Sequence, residues 1–237
     1  MSALRQNVKK ISVITASYNS ANTIEDTLES VKSQNFNNIE HIIVDGCSSD
    51  NTLDIIESRK DCFAEVISEP DKGIYDAFNK ALTRVSGDVV AILNSDDVFY
   101  DDKVLALVAE IFNKTECDIV YGDLVFVKQH DLHSVVRFWK SSKFIQGSFK
   151  DGWHPPHPSF FVRKSVYDEF GNFDTTIAVA ADFEFMLRLL EIKRLKSEYI
   201  PRVLTRMRVG GHSQKIKSII TGAKSIKKAF HKNEIEI

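Results

Sequence analysis

The chain has 237 residues, 43% hydrophobic and 27% charged, so it is an ordinary globular composition with room for a sizeable core without disulfides. A formal net charge of −2 gives no electrostatic case for a nucleic-acid partner. No stretch approaches the ~18 apolar residues of a membrane span, and the apolar run near the N-terminus is too short for a signal peptide. A soluble, cytoplasmic protein is expected. The cysteines Cys47, Cys62 and Cys117 are odd in number and lack C-x-x-C spacing, which argues against a zinc ribbon or a disulfide framework. They read as small core hydrophobes in a reducing compartment.

In chain order, "ISVIT" (11–15) is short, apolar and β-branched, which predicts a strand. "SANTIEDTLESVKSQ" has helical periodicity through Ile24, Leu28 and Val31, with Ser20 or Asn22 as N-cap. "IEHIIVDG" (39–46) predicts the second strand, "SSDNTLDIIESRK" the second helix, and "FAEVISEP" (63–70) a third strand ended by Pro70. "GIYDAFNKALTRV" predicts a third helix with Ile74, Phe78, Ala81, Leu82 and Val85 on its buried stripe. "DVVAIL" (88–93) predicts the fourth strand. Such alternation implies parallel strands with right-handed crossovers and a ligand at their carboxyl ends.

After residue 100 the rhythm changes. "KVLALVAEIFN" predicts a helix, "DIVYGDLVFV" and "SVVRFWK" strands, 141–158 a proline-containing loop, "SFFVR" a strand, "KSVYDEFG" a short helix and "VAADFEFMLRLLEIKR" a longer one. The C-terminal segment mixes lysines with Ile216, Ile219, Ile220, Ala223, Ile226, Ala229 and Phe230 at helical spacing. A basic amphipathic helix can lie on an anionic membrane surface or pack on the domain with its lysines solvated. No internal repeat or low-complexity linker separates the halves. The division expected is a single domain over 1–237, with a first half near 1–97, a second half over 98–212 and the basic helix over 213–237.

"VVAILNSDDVF" ends a buried strand on two adjacent carboxylates, Asp96 and Asp97. Like charges repel, so either the tip is a solvated or capping turn or something positive sits there. The text after the first strand, "TASYNSANT", contains neither G-x-G-x-x-G nor G-x-x-x-x-G-K-[ST]. Bound phosphates would therefore need another source of charge, such as a divalent cation shared with carboxylates. Tyr18 offers a ring for a planar base and Asp45 an acceptor for a base N–H, with a surface or core aromatic as the plain alternative for Tyr18. Lys72, before a helix N-terminus, suits an anion or marks an ordinary turn. On the helix 179–192, Glu184, Arg188 and Glu191 recur at i, i+4, i+7 and are expected to face solvent. Asp182 then lies roughly 200° from Glu184, towards protein or cleft, as a general base or an N-terminal cap. His154 and His157 in "WHPPHPSFF" have no third ligand nearby, so polar contact with a substrate is expected rather than a metal.

Taken in order, these segments resemble the family 2 glycosyltransferases of the GT-A fold. "IIVDGCSSDNT" is similar to the motif VDDGSxDGT, "SEPDKGIYDAFNKAL…SGDVVAILNSDD" to a subgroup that builds bacterial surface polysaccharides, and "AADFEFMLRL" to an acceptor-side motif that usually reads E-D. "GGHS" (210–213) resembles the loop that follows. The resemblance implies an α/β, Rossmann-like, mostly parallel central sheet flanked by helices, with a smaller acceptor-side region. It implies that the first half, near 1–97, binds a nucleotide sugar and the second, over 98–212, an acceptor. It implies an inverting hexosyltransferase that moves a sugar from a nucleotide-diphosphate sugar, UDP foremost, to a glycan or lipid-diphosphate-linked acceptor, at or near the inner membrane surface. It implies Mn²⁺ or Mg²⁺ held by Asp96 and Asp97 with His212 as a further contact, Asp182 as catalytic base, and Ala16, Tyr18, Asp45, Lys72 and Ser95 at the nucleotide. His157 is expected on the acceptor. Two departures stand out: Asn94 replaces the first Asp of D-x-D, and Ala181 the Glu of E-D. Two rivals are a degenerate nucleotide-sugar-binding protein and a sugar nucleotidyltransferase; the latter needs a glycine- and arginine-rich loop after the first strand, which is missing.

Overall fold

The computed structural model describes residues 7–177, 179–210 and 216–235. Four parallel strands open the sheet in the order β3-β2-β1-β4: β1 (Ile11–Ser17), β2 (Ile39–Asp45), β3 (Glu65–Ser68) and β4 (Val89–Ile92). All seven residues of β1 are buried, as expected of a strand covered on both faces. Ile14, Ala16, Ile42, Val44, Val90 and Ile92 pack on the face of α3 (Ile74–Leu82), α5 (Lys164–Phe170) and α6 (Ala181–Leu187). Ile11, Val13, Val89 and Ala91 pack on the opposite face with α4 (Val104–Thr115). α1 (Ile24–Lys32) and α2 (Thr52–Ser58) cover Ile43.

Beyond β4 the sheet continues through β8 (Phe160–Arg163), β6 (Ile119–Lys128), β9 (Ser197–Arg208) and β5 (Val98–Phe99), while β7 (Asp131–Trp139) pairs with β6 off this path. β9 is not predicted from the sequence, because Pro201 and three arginines interrupt its apolar pattern. It nevertheless runs parallel to β6 with a register shift at Gly122/Asp123. A Cβ at Gly122 would lie 2.6 Å from the Leu204 side chain and 2.8 Å from the Arg202 carbonyl oxygen; the missing side chain is what lets the two backbones approach.

Four expectations on the helices change. The N-cap position of α1 is Thr23, although the Ser20 carbonyl accepts from Thr23 and Ile24 N–H. Ile74 is exposed and Tyr75 is buried instead, because the helix begins at Ile74, one residue past the Gly73 turn. Glu184 and Glu191 are buried rather than solvated. Glu184 pairs with Arg188 at 3.0 Å, and Glu191 accepts from Gln146 Nε2 and the backbone N–H groups of Gly147 and Phe149. The α-helix also gives way to a π-helical turn at Arg188–Ile192, so a 3.6-residue wheel fails there. Finally, α7 (Ile216–Lys232) buries Ser225, Ala229 and Phe230, with Phe230 edge-on to Phe183 at 5.6 Å. The apolar face of its second half is therefore turned onto α6 and away from any membrane. Among the described residues no helix is long and apolar enough to cross a bilayer. Cys62 and Cys117 are buried, but Cys47 is exposed.

One buried group gives stability a pH dependence. His41 in β2 is buried, with Nε2 2.9 Å from Thr15 Oγ1 and Nδ1 3.3 Å from the Cys62 carbonyl. Burial pushes its imidazole down from 6.5 to about 4. Between those values the unfolded chain takes up a proton that the folded chain refuses, so this contribution is present above pH 6.5 and lost as pH falls to 4. The loss amounts to roughly 3 kcal/mol. Urea unfolding at neutral pH and near pH 4 should show a steeper fall for the parent than for His41→Gln; equal slopes would contradict this.

Candidate active site

The carboxyl ends of β1, β2, β3 and β4 bring four loops to one edge. Tyr18 stands there 62% exposed, just past β1. Asn19 takes a left-handed φ of 50° and Cys47 one of 59°, which folds the two loops against each other: Asn19 N–H donates to Ser48 Oγ, and Ser49 N–H to Asn19 Oδ1, both at 2.8 Å. Ser95 is buried, its hydroxyl 2.8 Å from Ser20 Oγ, so it ties the β4 tip to the β1 loop. Ala16 packs in the core and offers no side-chain surface to a ligand. Lys72 is exposed at the start of the turn into α3.

Asp45 does not face the cleft as expected. It is fully buried, and its oxygens accept from Ser17 Oγ (2.9 Å), Ser48 N–H (2.8 Å), Ser48 Oγ (2.5 Å) and Ser68 Oγ (3.3 Å). With these acceptor sites in use, Asp45 organises the loop. The acid that reaches the Tyr18 surface is Asp71. A Cβ at Gly46 would meet Asp71 Oδ2 at 2.5 Å and Tyr18 Cδ2 at 3.4 Å, so the Asp71 carboxylate occupies the space that a side chain at 46 would need. Its other oxygen accepts from Gly73 N–H at 2.8 Å, which fixes the turn. The signal was present in the sequence: the motif's second acid falls on Gly46, leaving a gap that a neighbouring loop fills.

At the β4 tip the two acids differ. Asp97 is completely buried, accepting from Asn94 Nδ2 at 3.0 Å and Arg208 N–H at 3.3 Å. Burial, and then the neighbouring Asp96 charge, push its carboxyl well above the usual carboxylate range. Enclosed by these donors and with burial disfavouring its charged form, Asp97 is less open to a cation than Asp96, although both were expected on the metal. The same contact explains Asn94: an amide donates to Asp97 where a carboxylate would repel it. Positive charge at the tip comes from Arg208 of β9, whose buried guanidinium donates to the Asp96 carbonyl at 2.7 Å and the Gln129 carbonyl at 3.0 Å and pairs with Asp26. Asp96 is only half-buried. Among the described residues no cluster of three His, Cys, Asp or Glu side chains could hold a metal unaided. Asp96 does fit a cation shared with substrate phosphates, which needs only one or two protein carboxylates. His212 lies outside the described residues.

A second group forms on the acceptor side. Asp182 lies in the first turn of α6 but caps nothing: the N-cap position is Ala180, with no side-chain cap bond. Its Oδ1 accepts from Tyr75 Oη at 2.8 Å, and Tyr75 Oη also lies 2.9 Å from the Val179 carbonyl. A phenol has one hydrogen, so Tyr75 serves one acceptor at a time and can follow the protonation of Asp182. Burial, reinforced by the Asp182 charge, raises the Tyr75 phenol well above its ordinary value, so it stays a donor. His154 and His157 both sense the Asp182 charge, which opposes but does not overcome the lowering by burial; both are neutral near pH 7. His154 packs edge-on to Trp139 at 5.1 Å and Phe183 at 5.4 Å, and His157 lies 5.7 Å from Phe173 and 6.3 Å from Phe78. Tyr75 is the second residue of α3 and lies four residues after Asp71, so one turn links the two groups.

The sequence profile of glycosyl transferase family 2 matches residues 12–171. An uncharacterized glycosyltransferase of Mycobacterium tuberculosis is 32% identical over 182 residues, 75% of this chain and 68% of that one. In three dimensions the chain superimposes on Staphylococcus aureus TarS 1–349 in complex with UDP-GlcNAc with a TM-score of 0.70 at 20% identity, over 96% of this chain and 68% of that one. It superimposes on the mannosyltransferase PcManGT of Pyrobaculum calidifontis, in complex with GDP-Man and Mn²⁺, with a TM-score of 0.68 at 19% identity, over 94% of this chain and 63% of that one. The chain thus spans about two thirds of the length of these proteins, and its α/β architecture is the GT-A fold.

Proposed function

The chain belongs to glycosyl transferase family 2 and is a glycosyltransferase, and on that premise we propose that it moves a sugar from a UDP-sugar to a hydroxyl of a glycan or lipid-diphosphate-linked acceptor, with inversion, in the building of a surface polysaccharide. The observation that carries the mechanism is Asp182: a carboxylate held by Tyr75 that caps no helix. Asp182 takes the proton of the acceptor hydroxyl as it attacks the anomeric carbon from the face opposite the diphosphate. One displacement converts an α-linked donor into a β-linked product. As the carboxyl gains its proton, Tyr75 turns its own hydrogen to Val179. Neutral His154 and His157 and the rings around them line the acceptor side. This reading extends the nucleotide half over the β1–β4 loops and the acceptor half over α6 and the 141–158 loop.

On the donor side the base stacks on Tyr18, which is worth ~1–3 kcal/mol, and Asp71 accepts its N3–H. Lys72 offers charge to the diphosphate. Asp96 would hold Mn²⁺ or Mg²⁺, which when bound would supply Lewis-acid stabilisation of the departing diphosphate. PcManGT, with its Mn²⁺, and TarS, with its UDP-GlcNAc, support this reading. Calorimetric titration with UDP, CDP and GDP in Mn²⁺ tests it. The parent should prefer UDP, because cytosine turns a lone pair, not an N–H, towards Asp71. Asp71→Asn should cut the UDP-to-CDP ratio by roughly tenfold or more. An unchanged ratio would show that Asp71 does not read the base, and no binding of any of the three would remove the donor assignment.

A further inference from the structure

We propose that β7 and the segment leaving it form a docking surface for an anionic lipid bilayer. Seven large hydrophobic side chains are exposed among the described residues, and four of them, Val135, Val136, Phe138 and Ile145, fall within this short stretch. Among the described residues β7 pairs only with β6, through Leu124–Lys128, and no described strand covers its other edge. Arg137 stacks over Phe126, beside Trp139, and Phe138 between them points to the opposite face, while Val135 and Val136 are exposed at the bulge where the register shifts between Val127/Val135 and Phe126/Arg137. Apolar groups therefore project from both faces of one projecting strand.

The charges choose the occupant. From Asp131, which opens β7, to Asp151 the sequence sets Arg137, Lys140, Lys143 and Lys150 against only those two terminal acids, a local positive excess within a chain whose net charge is −2. Cores of protein interfaces are depleted in lysine, which disfavours a second copy of this chain. Lysines interleaved with exposed valine and phenylalanine suit acyl chains below anionic headgroups. α7, the basic helix, is the weaker candidate: beyond its buried Ala229 and Phe230, Lys228 donates to the Thr176 carbonyl and Lys232 pairs with Asp174.

The position of the surface gives it a use. Trp139 ends β7 and packs on His154, which packs on Phe183, the residue after Asp182. A bilayer seated on β7 would present a membrane-anchored acceptor beside the proposed base. That last link rests on the proposed function; the docking itself does not.

Flotation of the full chain with vesicles tests the docking without reference to catalysis. The chain should float with phosphatidylcholine containing phosphatidylglycerol, not with phosphatidylcholine alone, and less as salt rises. Val136→Ser/Phe138→Ser and Lys140→Glu/Lys143→Glu should each weaken binding at least roughly tenfold, while Lys224→Glu/Lys227→Glu on α7 should leave it within a factor of about three. Unchanged circular dichroism and melting would show that the variants are folded. Failure of the parent to float, or variants of β7 that float like the parent, would overturn the proposal. So would a dimer in light scattering that the β7 substitutions dissolve, which would assign the surface to a second copy. If the chain floats as expected but UDP does not bind, the docking stands and the catalytic reading fails.

Discussion

Asp182→Asn is expected to lower kcat by ~10²–10⁴-fold and to leave the dissociation constant for UDP unchanged. The substitution keeps shape and volume, and the remaining Oδ1 still accepts from Tyr75, which donates to it at 2.8 Å. Because Asp182 caps nothing, α6 loses no terminal hydrogen bond, and the variant should melt with the parent. What disappears is the proton acceptor. Tyr75→Phe is the companion: it removes the group that orients Asp182, so kcat should fall, by less than in Asp182→Asn, again with UDP binding intact. Steady-state kinetics beside calorimetry separates the two readouts. Full turnover in Asp182→Asn would remove it as the base, and lost UDP binding would move it to the donor side.

Asp96→Asn is expected to abolish measurable transfer and, unlike Asp182→Asn, to abolish the metal dependence of UDP binding. In the proposed assignment the half-buried Asp96 carboxylate at the β4 tip would make the cation's protein contact, since Asp97 is enclosed by Asn94 and the Arg208 N–H. With the carboxylate neutralised, the diphosphate meets the tip without its bridge. The Arg208 guanidinium bonds the Asp96 backbone carbonyl, and that anchor survives the substitution. The parent in EDTA should behave as Asp96→Asn does in Mn²⁺. Parent activity that persists in chelator would contradict the assignment, as would Asp96→Asn that still responds to Mn²⁺.

β1 and β4 were legible as apolar runs between polar turns, which a sheet covered on both faces accommodates; β2 and β3 were legible from shorter cores, Ile42–Val44 and Val66–Ile67, set in the same strand-helix alternation. β9 was not legible: Pro201 and the arginines hide a strand whose pairing depends on a glycine in its neighbour, Gly122. Polar periodicity misled on α6. Glu184 and Glu191 look solvated by spacing, yet Arg188, Asn233 and the 146–149 loop satisfy them in the interior, and a π turn shifts the phase. Asp182 emerged correctly as facing inward, but from a premise about the solvent stripe that the structure overturns. Motif position located the loops and misassigned the acids within them. Asp45 spends its oxygens on serines, and the half-buried Asp71 is the acid beside Tyr18, in the room that Gly46 leaves. Burial, which distinguishes Asp96 from Asp97, is a property of β9 and its Arg208 and cannot be read from the strand that carries the two acids.

A crystal structure of the protein with UDP and Mn²⁺ tests the division of labour between Asp96 and Asp182 most directly. The uracil is predicted to stack on Tyr18 with its N3–H on Asp71, the ion to bridge the diphosphate and Asp96, and Asp182 to stay bonded to Tyr75 without touching metal or nucleotide. Mn²⁺ ligated by Asp182, or uracil seated away from Tyr18 and Asp71, would contradict it.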